Sequence, residues 1–175
     1  MNKILNFQTA KLLIIAILLL NKVLLSADAV EVLSLKGLNG VAVIVGANFN
    51  EYCNQKGLTE KTIQTDAELR LRLAGIKVYS PYTKDHLSQP GQQILYINIG
   101  TLNSEATQCY IYTIRTSLNQ DVLLVRNIQT IKAVPTWVTG CYGIVHFTDI
   151  ENTIRNTTKD QIDEFVNDYL SVNPK

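Results

Sequence analysis

Three strand-like stretches follow one another with almost no chain between them, and this restricts the fold more than any other feature. They are Gln93 to Leu102, Ala106 to Leu118 and Asp121 to Ile128, joined around Asn103-Ser104 and Asn119-Gln120 by links of two to four residues. A parallel crossover needs about a dozen residues or more, so the three must pair as antiparallel hairpins.

The rest of the chain supplies two further strands and the helices to cover such a sheet. Val41 to Val45 is a continuous apolar run bounded by Gly46, the pattern of a strand buried on both faces. Ahead of it, Lys36 to Gly40 is turn chemistry, and Val30 to Leu35 alternates like an edge strand or a lead-in. From Thr59 to Ala74 the period is helical: Ile63, Ala67, Leu71 and Ala74 form one apolar stripe. Thr59 can cap the first turn and Gly75 suits the position after the last. Ile76 to Ser80 is a short strand, and Pro81 to Gly91 a polar loop. Pro135 to Gly143 reads as irregular and holds the only Trp, Trp137. Asp149 to Leu170 is a second helix, with a break expected near Asn156-Thr157-Thr158, which also has the form of a glycosylation sequon. The order β-α-β-β-β-β-α predicts an α+β fold, a mostly antiparallel mixed sheet covered on one face by two helices.

The amino terminus points to export. Lys3 and Lys11 precede an unbroken apolar run from Leu12 to Leu20, and Ala27-Asp28-Ala29 places small residues at the two positions that a signal peptidase requires to be small. Residues 1–29 therefore read as a signal peptide, with residues 30–175 as a single periplasmic or secreted domain. The other reading is an uncleaved anchor. A spanning helix takes about 20 apolar residues, however, and Asn21-Lys22 interrupts the run here. No membrane span is expected after cleavage.

Removing the leader leaves 13 Lys and Arg against 14 Asp and Glu, scattered along the chain. Binding to nucleic acid works by neutralising phosphate with clustered cations, so no nucleic-acid partner is expected. Cys53, Cys109 and Cys141 match no metal module. In an oxidising compartment two of them could pair, or all three could be free thiols.

Catalytic equipment is sparse. His86 lies in the polar loop and His146 in an apolar stretch, neither with a partner at ligand or triad spacing, so structural roles are expected for both. No cofactor or metal set is indicated. The more informative residues are Tyr96, Asn98, Tyr110 and Tyr112. With the aliphatic parity of the hairpin strands turned to the helices, these four would share the other face of the sheet. Tyrosines on a helix-free face offer rigid amphipathic contact area, although tyrosine is also a common strand residue with no partner at all.

A Val-rich first strand, a helix ending Leu71-Arg72-Leu73-Ala74-Gly75, the strand Ile76-Lys77-Val78-Tyr79 and then Leu95-Tyr96-Ile97-Asn98-Ile99 succeed one another. This layout, over roughly Leu38 to Ile128, resembles the amino-terminal domain of the periplasmic TolB family and related CsgG-like envelope domains. The resemblance implies a protein-interaction or envelope-assembly role without a cofactor, and it carries over no functional residue. The expected function is thus a non-enzymatic exported interaction domain whose partner is an envelope protein or a second copy. The alternative is a small-molecule-binding or hydrolytic protein with a pocket near residues 81–91 and Trp137.

Overall fold

The computed structural model describes residues 31–89 and 91–174; the signal peptide expected over residues 1–29, with Ala27 and Ala29, lies outside the described residues. Val41–Ala47 forms β1, Glu51–Gln55 α1, Glu60–Leu73 α2, Val78–Tyr79 β2 and Lys84–Leu87 α3. Then come Ile94–Ser104 (β3), Cys109–Leu124 (β4), Gln129–His146 (β5), a 3-10 turn at Phe147–Asp149 and the helix Ile150–Val172 (α4). The strands make one five-stranded sheet in the order β2-β1-β3-β4-β5. Pairing is parallel from β2 through β1 to β3 and antiparallel from β3 through β4 to β5. This is the expected α+β architecture.

Local chemistry accounts for the two long helices. In α2 the Thr59 hydroxyl accepts from Thr62 N–H at 3.1 Å, Glu60 sits at the positive end of the dipole, and Gly75 takes φ +83° just beyond the last turn. Its buried face is Ile63, Ala67 and Leu71, three of the four residues of the predicted stripe; the fourth, Ala74, is the half-buried C-cap. The α4 helix buries Ile150, Ile154, Ile162 and Phe165. Both helices pack on the face of the sheet made by Val41, Val43, Leu95, Ile97, Ile99, Ile114 and Leu118, all essentially inaccessible. Two ion pairs tie the helices to each other: Arg155 forks onto Asp66 at 2.9 and 3.3 Å, and Arg70 reaches Asp163. No helix among the described residues is long and apolar enough to cross a membrane.

Four local expectations are corrected. Residues 31–33 form a helical turn rather than a strand. Leu35 and Leu38, three apart, both enter the core, and that spacing suits i→i+3 backbone bonds such as Leu35 N–H to Val32 C=O. The Asn119-Gln120 link is no turn, because β4 runs through it with register shifts at Leu118/Asn119 and Gln120/Val122. The true hairpin turn is Val125 to Ile128, so the fifth strand starts at Gln129 and takes in the whole of Pro135 to Gly143. Pro135 is tolerated because β5 lies at the sheet edge, where one flank needs no donor. Gly143 is required by packing: a Cβ there would come within 2.7 Å of the Tyr112 hydroxyl. Finally, α4 continues unbroken through Asn156-Thr157-Thr158, with the Thr158 hydroxyl turned back onto Ile154 C=O at 2.8 Å.

The asymmetry of the sheet gives a direct prediction. Ile97 is fully buried under the helices, whereas Ile144 is 71% exposed on the opposite face. Ile97→Ala should destabilise the domain by about 3 kcal/mol, and Ile144→Ala should change stability by less than about 0.5 kcal/mol. Urea unfolding midpoints at a common m value measure both.

Candidate interaction surface

Side-chain parity divides the four residues singled out in the sequence. Register pairs Ile99 with Ile114, Ile97 with Thr116 and Leu95 with Leu118, so even-numbered residues of this part of β4 share the face of the odd-numbered residues of β3. Tyr110 and Tyr112 therefore lie on the helix-covered face, and only Tyr96 and Asn98 lie on the open one. Tyr110 is 1% exposed, stacked with Phe147 at 4.9 Å between ring centroids and bonded through its hydroxyl to Asn50. Tyr112 packs against the core over Gly143. The sequence-based choice of parity failed because Ile111 and Ile114 compete for the core, and Ile114 with Tyr110 won.

The open face is nevertheless apolar. Leu102, Ile111 and Ile144 stand in register across β3, β4 and β5, with exposures of 67, 48 and 71%. Tyr142, 85% exposed, stands next to Ile144 on the same face. Tyr96 is pressed down over Gly46, where a Cβ would come within 2.5 Å of its hydroxyl. Further along, Tyr96, Asn98, Arg115, Ser117, Asn119 and Pro135 line a shallow depression of about 190 Å³. Arg115 has no ion-pair partner among the described residues.

Nothing among the described residues covers this ridge. The lead-in segment docks on the helix side instead: Leu35 and Leu38 enter the core, and Tyr169 donates to Leu38 C=O at 3.0 Å. Trp137 also faces the helices, edge-on to Phe165 at 5.2 Å and donating Nε1–H to Asp168 at 2.8 Å.

Beyond the sheet, β4 and β5 project as a ribbon whose end is apolar. Val125 is 97% exposed, Ile128 79% and Leu123 64%. Ile128 holds φ at +48°, an unusual conformation for a β-branched residue, so the tip carries strain as well as apolar surface.

The pocket expected near residues 81–91 and Trp137 resolves into two separate surfaces. Pro81 and Tyr82 border a groove of about 490 Å³ with Val43, Ile44, Val45, Glu60, Lys61 and Gln64. Trp137 borders another, of about 260 Å³, with Glu31, Glu164 and Asp168.

The histidines are committed to structure. His86 is buried; its Nδ1 accepts from Tyr82 N–H at 3.2 Å, which leaves Nε2 to donate to Gln93 C=O at 3.3 Å. It thereby pins both ends of the 81–93 loop. His146 Nδ1 meets the Thr148 hydroxyl at 3.0 Å and caps the turn before α4. Strand pairing sets Cys109 opposite His146, a juxtaposition invisible at their separation in sequence. The thiol is directed to Thr107 C=O instead, and no hydrogen bond joins the pair. All three cysteines are free thiols: Cys53 is in the core, and burial pushes the Cys141 thiol up. No cluster of three or more His, Cys, Asp or Glu residues placed to hold a metal occurs among the described residues.

No protein-family model matches this chain, and no curated protein aligns with it significantly.

The buried Tyr110 makes a pH prediction. Burial is the main cause that raises its phenol above the ordinary value of 10.0, and Tyr169 is raised for the same reason. The folded state thus favours the neutral phenols. Their contribution is complete below the ordinary tyrosine value and is lost as pH rises through the raised one. Unfolding free energy should therefore fall above pH 10.0. Tyr110→Phe should make that alkaline loss shallower and, because Asn50 loses its partner, cost about 1 kcal/mol at neutral pH. Denaturant titrations across pH on both proteins test this.

Proposed function

We propose that the protein is an exported, non-enzymatic interaction module of the cell envelope, periplasmic or secreted, which binds a protein partner through the open face of its sheet. The observation that carries this reading is the in-register row Leu102, Ile111 and Ile144, extended by Tyr142 and uncovered among the described residues. Contiguous exposed apolar surface of this kind marks interaction sites, and aromatic residues contribute disproportionately to their affinity. Arg115 beside the ridge, without an ion-pair partner among the described residues, favours a partner surface with an apolar centre and a carboxylate at its rim. Weighing against the hydrolytic alternative, His86 is locked into its loop and Cys109 is not bonded to His146.

The test is crosslinked affinity capture of the exported protein, comparing the wild type with the double variant Tyr142→Ser, Ile144→Asp. Capture of the partner, or of a second copy, should fall at least about tenfold with an unchanged urea midpoint, since both residues are exposed. Equal capture by the two proteins rejects this face. Intact mass on the same sample tests export: a chain beginning at Val30 is expected, and one that retains residues 1–29 rejects the cleaved leader.

A further inference from the structure

The parallel end of the sheet is incomplete in a specific way. Strand β2 pairs with only Val41 and Ala42 of β1, because Pro81 supplies no backbone donor and Tyr82, at φ +58°, turns the chain away. The remaining flank of β1 faces the groove bordered by Pro81, Tyr82 and the start of α2. Alternation along β1 decides which backbone groups point there. Val41 N–H donates toward β2, to Lys77 C=O, and Ala42 N–H donates toward β3, to Gln93 C=O. The carbonyl of Val43 and the backbone groups of Val45 and Ala47 therefore point to the flank that β2 leaves uncovered.

Two side chains of α2 occupy part of this edge. Gln64 donates its amide to Val43 C=O at 3.3 Å, and the Glu60 carboxylate accepts from Ala47 N–H at 2.8 Å. Each imitates what a neighbouring strand would supply. Between them, the N–H and C=O of Val45 have no partner among the described residues. Past Glu60 and Lys61 the groove continues into a second hollow of about 370 Å³ bordered by Ala47, Phe49 and Asn54.

We infer that this groove is a strand-addition site: an extended peptide segment of a partner protein lies in line with β2 and pairs with Val43 to Ala47. A donor and an acceptor presented by one extended residue are complemented by another extended backbone, and side chains of the peptide then alternate between the two faces. The peptide displaces Gln64 and Glu60 from the edge and pairs with Val45 between them. Glu60 and Lys61 border both hollows and offset each other in charge, so the backbone groups and the apolar flank of β1 select an extended segment with apolar residues at alternate positions. This site is separate from the open face and does not depend on it.

The experiment selects binders from displayed random dodecapeptides and measures the best by titration. Val45→Pro removes the central donor while leaving the β1–β3 ladder intact, because that N–H points away from β3. Enrichment of peptides with apolar residues at alternate positions is expected, with affinity at least about tenfold weaker for Val45→Pro and unchanged for Ile144→Asp. On the wild-type protein, hydrogen exchange at the Val45 amide should slow when peptide is added, a readout that needs no variant to fold. No enrichment, binding indifferent to Val45→Pro, or a Val45 amide that exchanges as before overturns the proposal. Binding lost in Ile144→Asp instead assigns the peptide to the open face and equally overturns it.

Discussion

Burial of one sheet face under α2 and α4 is the interaction on which the rest of the molecule depends. Ile97 lies at its centre, with Leu95 and Ile99 on the same strand, Val43 beside it and Ile114 and Leu118 across from it. Each fully buried aliphatic side chain contributes roughly 1.5–3 kcal/mol. An exposed ion pair contributes only about 0.2–1 kcal/mol, so Arg155–Asp66 and Arg70–Asp163 orient the helices on a surface that apolar burial has already joined. Once β3 commits its odd residues to the helices, register dictates every other face. Tyr110 and Tyr112 go inward, and Ile111, Tyr142 and Ile144 go outward.

The ends of the sheet then have unequal problems. At one edge β5 is long and carries Pro135, which has no backbone donor. At the other, β2 is too short to cover β1, and helix side chains fill part of the gap. Gln64 and Glu60 reduce the cost of unpaired backbone groups without closing the site, since a side-chain amide or carboxylate is more easily displaced than a neighbouring strand. The His86 contacts support the same arrangement, because they hold the 81–93 loop folded to the side of the groove.

Much of this architecture was legible in the sequence, for reasons visible in particular residues. In the α2 stripe Ile63, Ala67 and Leu71 are buried and Ala74, at the C-cap, is half-buried, because cap, period and C-terminal glycine all agree. The hairpin logic for β3 and β4 holds because so short a link leaves no alternative. The failures share a cause as well. Asn119-Gln120 and the Pro135 to Gly143 stretch carry turn-forming residues, but tertiary context overrides them. A bulge absorbs the first, and a sheet edge with a tyrosine lying over glycine absorbs the second. Tyr110 was misplaced because in β4 both parities are apolar, and only pairing with β3 distinguishes them.

A physical reason also explains why neither proposed surface announces itself as a motif. Catalytic and metal sites need particular side chains at particular spacings, so chemistry leaves a signature in sequence. A strand-addition site is made of backbone N–H and C=O groups that every residue but proline carries in full, and an apolar ridge accepts any aliphatic or aromatic side chain of the right parity. What makes Val45 distinctive is that β2 ends at Tyr79. What makes Ile144 distinctive is that its partners Ile111 and Leu102 line up beside it on a face the helices leave bare. Both properties belong to the arrangement of strands, and they become readable only when the sheet is assembled.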